Sequence, residues 1–103
     1  MAPYAAAKHG VIGLIRWLAA DLAGTGVTAN TVAPGSTRTP IVEASASIYG
    51  LDDPEAFVAH QEPLGRLIDP GEVAAALAWL CSPAASAITG AVIPVDGGMT
   101  ATN

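Results

Sequence analysis

The sequence has few charged residues. Only 13% of its 103 residues are Asp, Glu, Lys or Arg, against roughly a quarter in ordinary globular proteins, whereas 51% are hydrophobic. So little charge cannot cover the surface of a monomer, and we expect much of that surface to lie against other protein. Lysine and arginine together number four and the net charge is −5, which leaves no basic patch for nucleic acid or anionic lipid.

Cysteines, metal-binding patterns and long apolar runs are also scarce. The single cysteine, Cys81, cannot form an intrachain disulfide, and we expect it to be a small buried side chain in a reducing cytoplasm. His9 and His60 lie far apart without ligands at suitable spacing, so we predict no metal site. No apolar run reaches the length of a membrane span, and residues 1–3 do not begin a signal peptide. The length allows one domain at most.

Residues 4–23 are rich in Ala and Leu and predict a helix, with a glycine stop at 24–26. One side has the alternating three- and four-residue spacing of a core face: Tyr4, Lys8, Val11, Ile15, Leu18 and Leu22. The other side carries small residues around one large ring: Ala6, Gly10, Gly13, Trp17 and Ala20. A helix that is apolar nearly all round is buried on both sides. We therefore interpret the second side as the interface of a homo-oligomer.

Tyr4 and Lys8 are the residues of this helix that indicate chemistry. At positions i and i+4 they lie on one face, about 40° apart around the axis, so both can reach one substrate atom. A nearby ammonium favours the ionised form of a phenol, and a phenolate can take a proton from an alcohol. The same spacing also arises by chance in helix-surface pairs, so the pattern by itself leaves both interpretations open.

The residues that follow predict a parallel α/β unit. Residues 27–33 alternate β-branched side chains and indicate a strand that ends at Pro34-Gly35. Ligands of such sheets bind beyond the carboxyl ends of the strands, where residues 34–39 lie. Their small hydroxyl side chains and backbone amides could hydrogen-bond a carboxamide. The alternative is an ordinary polar turn.

The second half of the chain supplies one more helix and one more strand. No one hydrophobic periodicity runs through residues 38–69, which we interpret as a substrate lid. Within it we expect a short helix after Pro40 and another from Asp52 to about His60. Asp69, Pro70 and Glu72 form a capping pattern that begins a helix over 70–81. Residues 91–95 then read as a buried strand.

Taken together, these motifs resemble the short-chain dehydrogenase/reductase family. They are Tyr4-x-x-x-Lys8, Asn30 near the end of a strand, Pro34-Gly35-x-x-x-Thr39, the helix start Pro70-x-Glu72-Val73-Ala74, and Gly90 leading into Val95-Asp96-Gly97-Gly98. The resemblance implies the C-terminal portion of a Rossmann-like doubly wound parallel sheet, with 27–33 and 91–95 as neighbouring strands. It also implies a nicotinamide coenzyme, NAD or NADP with NAD slightly favoured, and a small alcohol or ketone as substrate.

The resemblance further implies residue roles. Tyr4 would be the catalytic acid/base, and Lys8 would assist it while binding the ribose hydroxyls of the nicotinamide. Pro34 and Gly35 would pass under the nicotinamide, with Thr37 and Thr39 placed to meet its carboxamide. Family members more often carry an aliphatic residue at Thr37, so its backbone role is the part that carries over. The common Arg-Val pair before Asn30 is here Thr28-Ala29.

Two further expectations concern the family motifs that are missing from these residues and the subgroup of the family that they resemble. No Gly-x-x-x-Gly-x-Gly occurs, and the serine expected about a dozen residues before Tyr4 would precede Met1. We therefore expect less than half of such an enzyme, inactive by itself; the alternative function is a non-catalytic remnant or a partner of an intact relative. Four segments resemble the mycofactocin-coupled subgroup, which implies a tightly held nicotinamide: 34–39, 44–53, 79–83 and 94–99.

Overall fold

The computed structural model describes residues 2–48, 50–53, 56 and 63–101. Its helices and strands, in chain order, are α1 (Ala2–Asp21), β1 (Thr31–Pro34), α2 (Pro40–Ile48), α3 (Pro70–Leu80) and β2 (Val92–Val95). Two short 3-10 helices, Pro83–Ala85 and Met99–Ala101, precede and follow β2. The strands pair in parallel, as predicted, in a two-stranded sheet of order β1-β2.

The chain divides into two compact units. The first comprises Met1–Val32 with Leu77–Ile93, and the second comprises Ala33–Ala76 with Pro94–Asn103. In the first unit the Thr31 amide donates to the Ala91 carbonyl (2.9 Å). In the second, the Gly35 amide donates to the Val95 carbonyl (3.0 Å). The constant offset of 60 residues between these pairs is the register of the parallel sheet.

Helix α1 begins before the predicted boundary and ends two residues earlier than expected. It is followed by a turn in which the Thr25 amide donates to the Leu22 carbonyl (3.1 Å). Gly24 and Gly26 adopt φ values of 79° and 80°, which are left-handed and cost other residues energy because of their Cβ atoms. The two glycines therefore lie in the turn of residues 22–26 that follows the helix.

Strand β1 begins at Thr31, four residues later than the predicted strand. The reason is the Asn30 side chain, which donates from Nδ2 to the Ile88 carbonyl (2.8 Å) and accepts at Oδ1 from the Ala91 amide (3.1 Å). The Ala29 amide in turn donates to Thr89 Oγ1 (3.2 Å). The Gly90 amide still donates to the Ala29 carbonyl (2.7 Å), but the Asn30 side chain takes the Ala91 amide, so the regular ladder of the strand begins only after Asn30.

Helix α2 and the start of α3 belong to the second unit. The core of this unit contains Ala46, Leu67 and Ile68, whose exposed fractions are 1%, 1% and 2%. Leu67 and Ile68 follow a loop at Gly65, where φ is 69°. The helix predicted from Asp52 to about His60 lies largely outside the described residues.

Two expectations about burial are corrected by the structure. No residue of α1 is buried: Ile15, Leu18 and Leu22 are half-buried, but Tyr4 and Val11 on the same stripe are 61% and 49% exposed. The described residues offer α1 little to pack against beyond its C-terminal half. Cys81 is exposed, not buried, because it follows the end of α3, where it lines a cleft.

Among the described residues, no helix is long and apolar enough to cross a bilayer.

Candidate active site

The first group of candidate residues lies in the first turns of α1. Lys8 Nζ lies over the Tyr4 ring, 5.5 Å from its centroid, within the range of a cation–π contact. The helical i,i+4 spacing brings them together. Both side chains are exposed, so a substrate hydroxyl can reach the Tyr4 phenol. The arrangement places a phenol hydroxyl and a positive charge at one place on the helix.

His9 is the other ionisable side chain beside this pair. Its Nδ1 donates to the Ala5 carbonyl (2.9 Å) one turn earlier on the same helix. This bond directs the imidazole along α1 and gives it a local structural role. Tyr4 is therefore the better candidate for proton exchange with a substrate.

The second group is the loop of residues 34–39, which belongs to the second unit. Pro34 ends β1, and the Gly35 amide is bonded to Val95. Thr37 Oγ1 donates its proton to the Gly35 carbonyl (3.0 Å), which leaves the oxygen's lone pairs for an incoming donor. An amide NH₂ is such a donor. The carboxamide contact of residues 34–39 stays a prediction, and for Thr37 that prediction concerns the backbone.

Thr39 connects this loop to α2. Its carbonyl accepts from the amides of Val42 (3.0 Å) and Glu43 (3.1 Å), the bonds that open the first turn of the helix. Thr39 is therefore fixed in position by the start of α2. The structure thus brings Tyr4 and Lys8 together in one unit and holds residues 34–39 together in the other.

The sequence pattern did not single out a role for Asp96. This carboxylate is 7% exposed and accepts from the Gly98 amide (3.0 Å), the Thr100 amide (3.0 Å) and the Thr100 hydroxyl (2.6 Å). The Thr100 hydroxyl, followed by the Gly98 amide, holds the pKa of Asp96 below its ordinary value. Asp96 thus shapes the turn after β2. The available signal was an Asp followed by two glycines and then by Thr four residues on.

An ion pair at the start of α3 was also missed. Arg66 Nη1 and Nη2 donate to Glu72 Oε2 and Oε1, each at 2.8 Å. Glu72 Oε2 also accepts from the Asp69 amide (2.9 Å), which is half of the predicted capping box. The Arg66 guanidinium, and next the Asp69 amide, hold the pKa of Glu72 at about 2, below its ordinary 4.5. The cap was readable from sequence, but its arginine partner was not.

A cleft of about 630 Å³ lies in the first unit, away from Tyr4 and Lys8. Its lining is apolar or weakly polar and includes Ile15, Asn30, Leu77 and Cys81. Nothing in that lining supplies an acid/base pair, so we assign it no chemistry. Within the part of the chain that the structure describes, no three His, Cys, Asp or Glu side chains are grouped to hold a metal ion.

Comparison with known proteins identifies the family. A family model described as enoyl-(acyl carrier protein) reductase matches residues 1–100. A solved short chain dehydrogenase family protein from Francisella tularensis superposes with a TM-score of 0.86 at 31% identity, covering 96% of this chain and 43% of that one. The chain belongs to the short-chain dehydrogenase/reductase family. The predicted fold class, part of a Rossmann-like parallel α/β sheet, is confirmed.

Other members of the family show what this chain resembles. The 3-oxoacyl-(acyl-carrier-protein) reductase FabG of Vibrio cholerae is 47% identical over 98 residues, which are 95% of this chain and 38% of FabG. A variant of actinorhodin polyketide ketoreductase, solved with NADPH, is 40% identical with a TM-score of 0.82, over 95% of this chain and 40% of that one. The chain spans about two fifths of the length of the curated relatives it matches.

Proposed function

We propose that these residues form the catalytic-helix part of an NAD(P)-dependent oxidoreductase that interconverts a secondary alcohol and a ketone. The observation that carries the proposal is the Tyr4–Lys8 pair, with Nζ 5.5 Å from the ring centroid, on the first helix of a chain of this family. Family members described as reductases and dehydrogenases support the general class. In this proposal Tyr4 is the acid/base, and Lys8 assists it.

The proposed reaction divides between proton and hydride. In the oxidation direction, the ionised Tyr4 oxygen takes the proton of the alcohol hydroxyl while the carbon–oxygen bond becomes a carbonyl. A nicotinamide coenzyme, when bound, supplies the acceptor for the hydride leaving the carbinol carbon. In reduction, Tyr4 returns the proton to the forming alkoxide. In this proposal the Lys8 ammonium, which lies over the Tyr4 ring, assists the proton exchange in both directions.

The residues proposed to hold the coenzyme are Tyr4, Lys8 and four members of the loop: Pro34, Gly35, Thr37 and Thr39. An ammonium such as that of Lys8 donates to hydroxyl oxygens, which suits a ribose. Only the backbone role of Thr37 carries over from the resemblance, so the backbone of residues 34–39 is proposed to meet the carboxamide, and the bond from Thr37 Oγ1 to the Gly35 carbonyl (3.0 Å) holds that loop in shape. The coenzyme is NAD or NADP; one structural relative was solved with NADPH.

A homo-oligomer is the proposed assembly, formed through the side of α1 opposite Tyr4. Apart from the backbone of α1 itself, no atom of the described residues lies within 4 Å of where a Cβ of Gly10 or Gly13 would stand, so another helix can approach there closely. Trp17, between them and Ala20, is 62% exposed. We also propose a cytoplasmic location, which the exposed free thiol of Cys81 suits because reducing conditions keep such a group unoxidised.

Substituting Tyr4 by Phe separates this function from the alternative of a non-catalytic partner. In a coenzyme-competent protein that carries these 103 residues, Tyr4→Phe keeps the ring beneath Lys8 but removes the exchangeable proton. Turnover should fall by roughly 10²–10⁴ with coenzyme affinity little changed. His9→Gln is the matched control on the same helix and should retain turnover. Near-full activity of Tyr4→Phe would remove Tyr4 as the acid/base, and an inactive parent protein would favour the partner role.

A further inference from the structure

The loop that the proposed function assigns to the coenzyme is held by a neighbouring segment of the chain. The Ile68 amide donates to the Ser36 carbonyl (3.0 Å), and the Arg38 amide donates to the Ile68 carbonyl (2.9 Å). These two bonds make an isolated parallel bridge between Thr37 and Ile68. The backbone position of Thr37 therefore depends on the position of Ile68.

Burial alone restrains the register of Ile68 along the loop only weakly, because few buried side chains oppose a slip. Leu67 and Ile68 are 1% and 2% exposed, whereas Arg66 and Asp69 on either side are exposed. A one-residue slip of an extended segment exchanges its inward and outward side chains and its backbone partners. With only two buried residues, the segment needs a second restraint against such a slip.

Arg66 provides that restraint, since its bonds enclose the buried segment. Its guanidinium makes two parallel bonds of 2.8 Å to Glu72, and Nη1 also donates to the Leu67 carbonyl (3.0 Å). Glu72 lies in the first turn of α3 and accepts from the Asp69 amide at the other end of the segment. Paired bonds fix orientation as well as distance. Residues 66–69 are thereby tied to a regular helix at both ends.

We propose that Arg66 is a positioning residue for the coenzyme: its paired bonds to Glu72 fix the register in which residues 67–68 hold Thr37. This inference rests on the proposed function, because it assigns a purpose to the position of loop 34–39. The competing explanation is that the ion pair only caps α3. A simple cap would stabilise the first turn of α3 without changing the order of residues 36–38.

Amide hydrogen exchange on the full chain tests whether Arg66 fixes the register of residues 67–68 against the loop. Arg66→Lys keeps the charge but cannot make the bidentate pair, and Arg66→Gln removes the charge. In both variants the amides of Arg38 and Ile68 should exchange about tenfold faster, while the Gly35 amide, bonded to Val95, should stay near its wild-type rate. The double exchange Arg66→Glu with Glu72→Arg should restore slow exchange. Arg16→Gln, in the other unit, is the control for losing one positive charge.

Coenzyme titration of a coenzyme-competent protein that carries these residues tests the functional half. The dissociation constant for coenzyme should rise about three- to tenfold in Arg66→Lys and return towards wild type in the double exchange. The rate at saturating coenzyme should stay within about twofold, because Arg66 is assigned no contact with the reacting atoms. If the ion pair were only a cap, its loss in Arg66→Lys would lower thermal stability without changing coenzyme affinity and rate differently.

Three results would overturn the inference: unchanged exchange at Arg38 and Ile68, equal acceleration at Gly35, or unchanged coenzyme affinity in Arg66→Lys. Each of these leaves the proposed function standing if the parent protein binds coenzyme and turns over. A parent protein that binds no coenzyme would instead remove the proposed function. The positioning role would then fall with it, while the exchange rates would still report whether Arg66 holds residues 67–68.

Discussion

The assembly proposed for α1 predicts a large effect of substituting Trp17. This ring is 62% exposed and lies on the same side of α1 as the uncovered Gly10 and Gly13. Aromatic side chains bury about 150–250 Å² each, so some 150 Å² of a ring this exposed remains to be covered in an oligomer. At roughly 25 cal/mol per Å², covering it contributes up to about 4 kcal/mol, and measured costs of removing a central Trp are of order 2 kcal/mol or more.

Trp17→Ala should therefore weaken self-association by at least roughly 30-fold, since about 1.4 kcal/mol corresponds to a factor of ten. Sedimentation velocity across a concentration series measures the change. Trp79→Ala is the matched control, because that ring is 45% exposed but belongs to α3. Self-association that is equally strong in Trp17→Ala and wild type, or equally weakened by both substitutions, would refute this face of α1 as the interface.

Two further predictions concern pH and coenzyme retention. The pKa of Glu72 is lowered from 4.5 to about 2 in the folded chain, so the stability that its carboxylate contributes is present above about pH 4.5 and is lost as the pH falls towards 2. Urea unfolding measured across this pH range should show a smaller loss of stability in Glu72→Gln than in wild type. Equal losses would contradict a lowered pKa of Glu72. If the mycofactocin-coupled subgroup is the correct one, a coenzyme-competent protein carrying these residues should keep its nicotinamide through dialysis. Empty protein that turns over rapidly on added NAD⁺ would leave the family and remove the subgroup.

Signals that act within a few residues could be read from the sequence. Gly24 and Gly26 mark the turn that follows α1, because left-handed φ values suit glycine and this requirement is local. Pro70 and Glu72 mark the start of α3 for the same kind of reason: a cap needs partners only three residues apart. The Tyr4–Lys8 contact likewise follows from one turn of helix.

Signals that depend on distant partners could not be read. The late start of β1 arises from Asn30, whose partners Ile88 and Ala91 lie about sixty residues away in the chain. The exposure of Tyr4 and Val11 could not be predicted either, because helical periodicity shows which side is apolar and not what covers it. Arg66 had no distinguishing pattern, since a six-residue separation from Glu72 matches neither a helix nor a strand period.

The most direct test of the central claim follows the hydride itself. A coenzyme-competent protein carrying these residues would be given a secondary alcohol deuterated at the carbinol carbon together with oxidised coenzyme, and the reduced coenzyme would be analysed by mass spectrometry. Direct transfer predicts that each reduced nicotinamide carries one deuterium from the substrate, and that a deuterated hydroxyl contributes none. Reduced coenzyme without the carbinol deuterium, or a ketone formed with no coenzyme reduced, would contradict hydride transfer as the reaction.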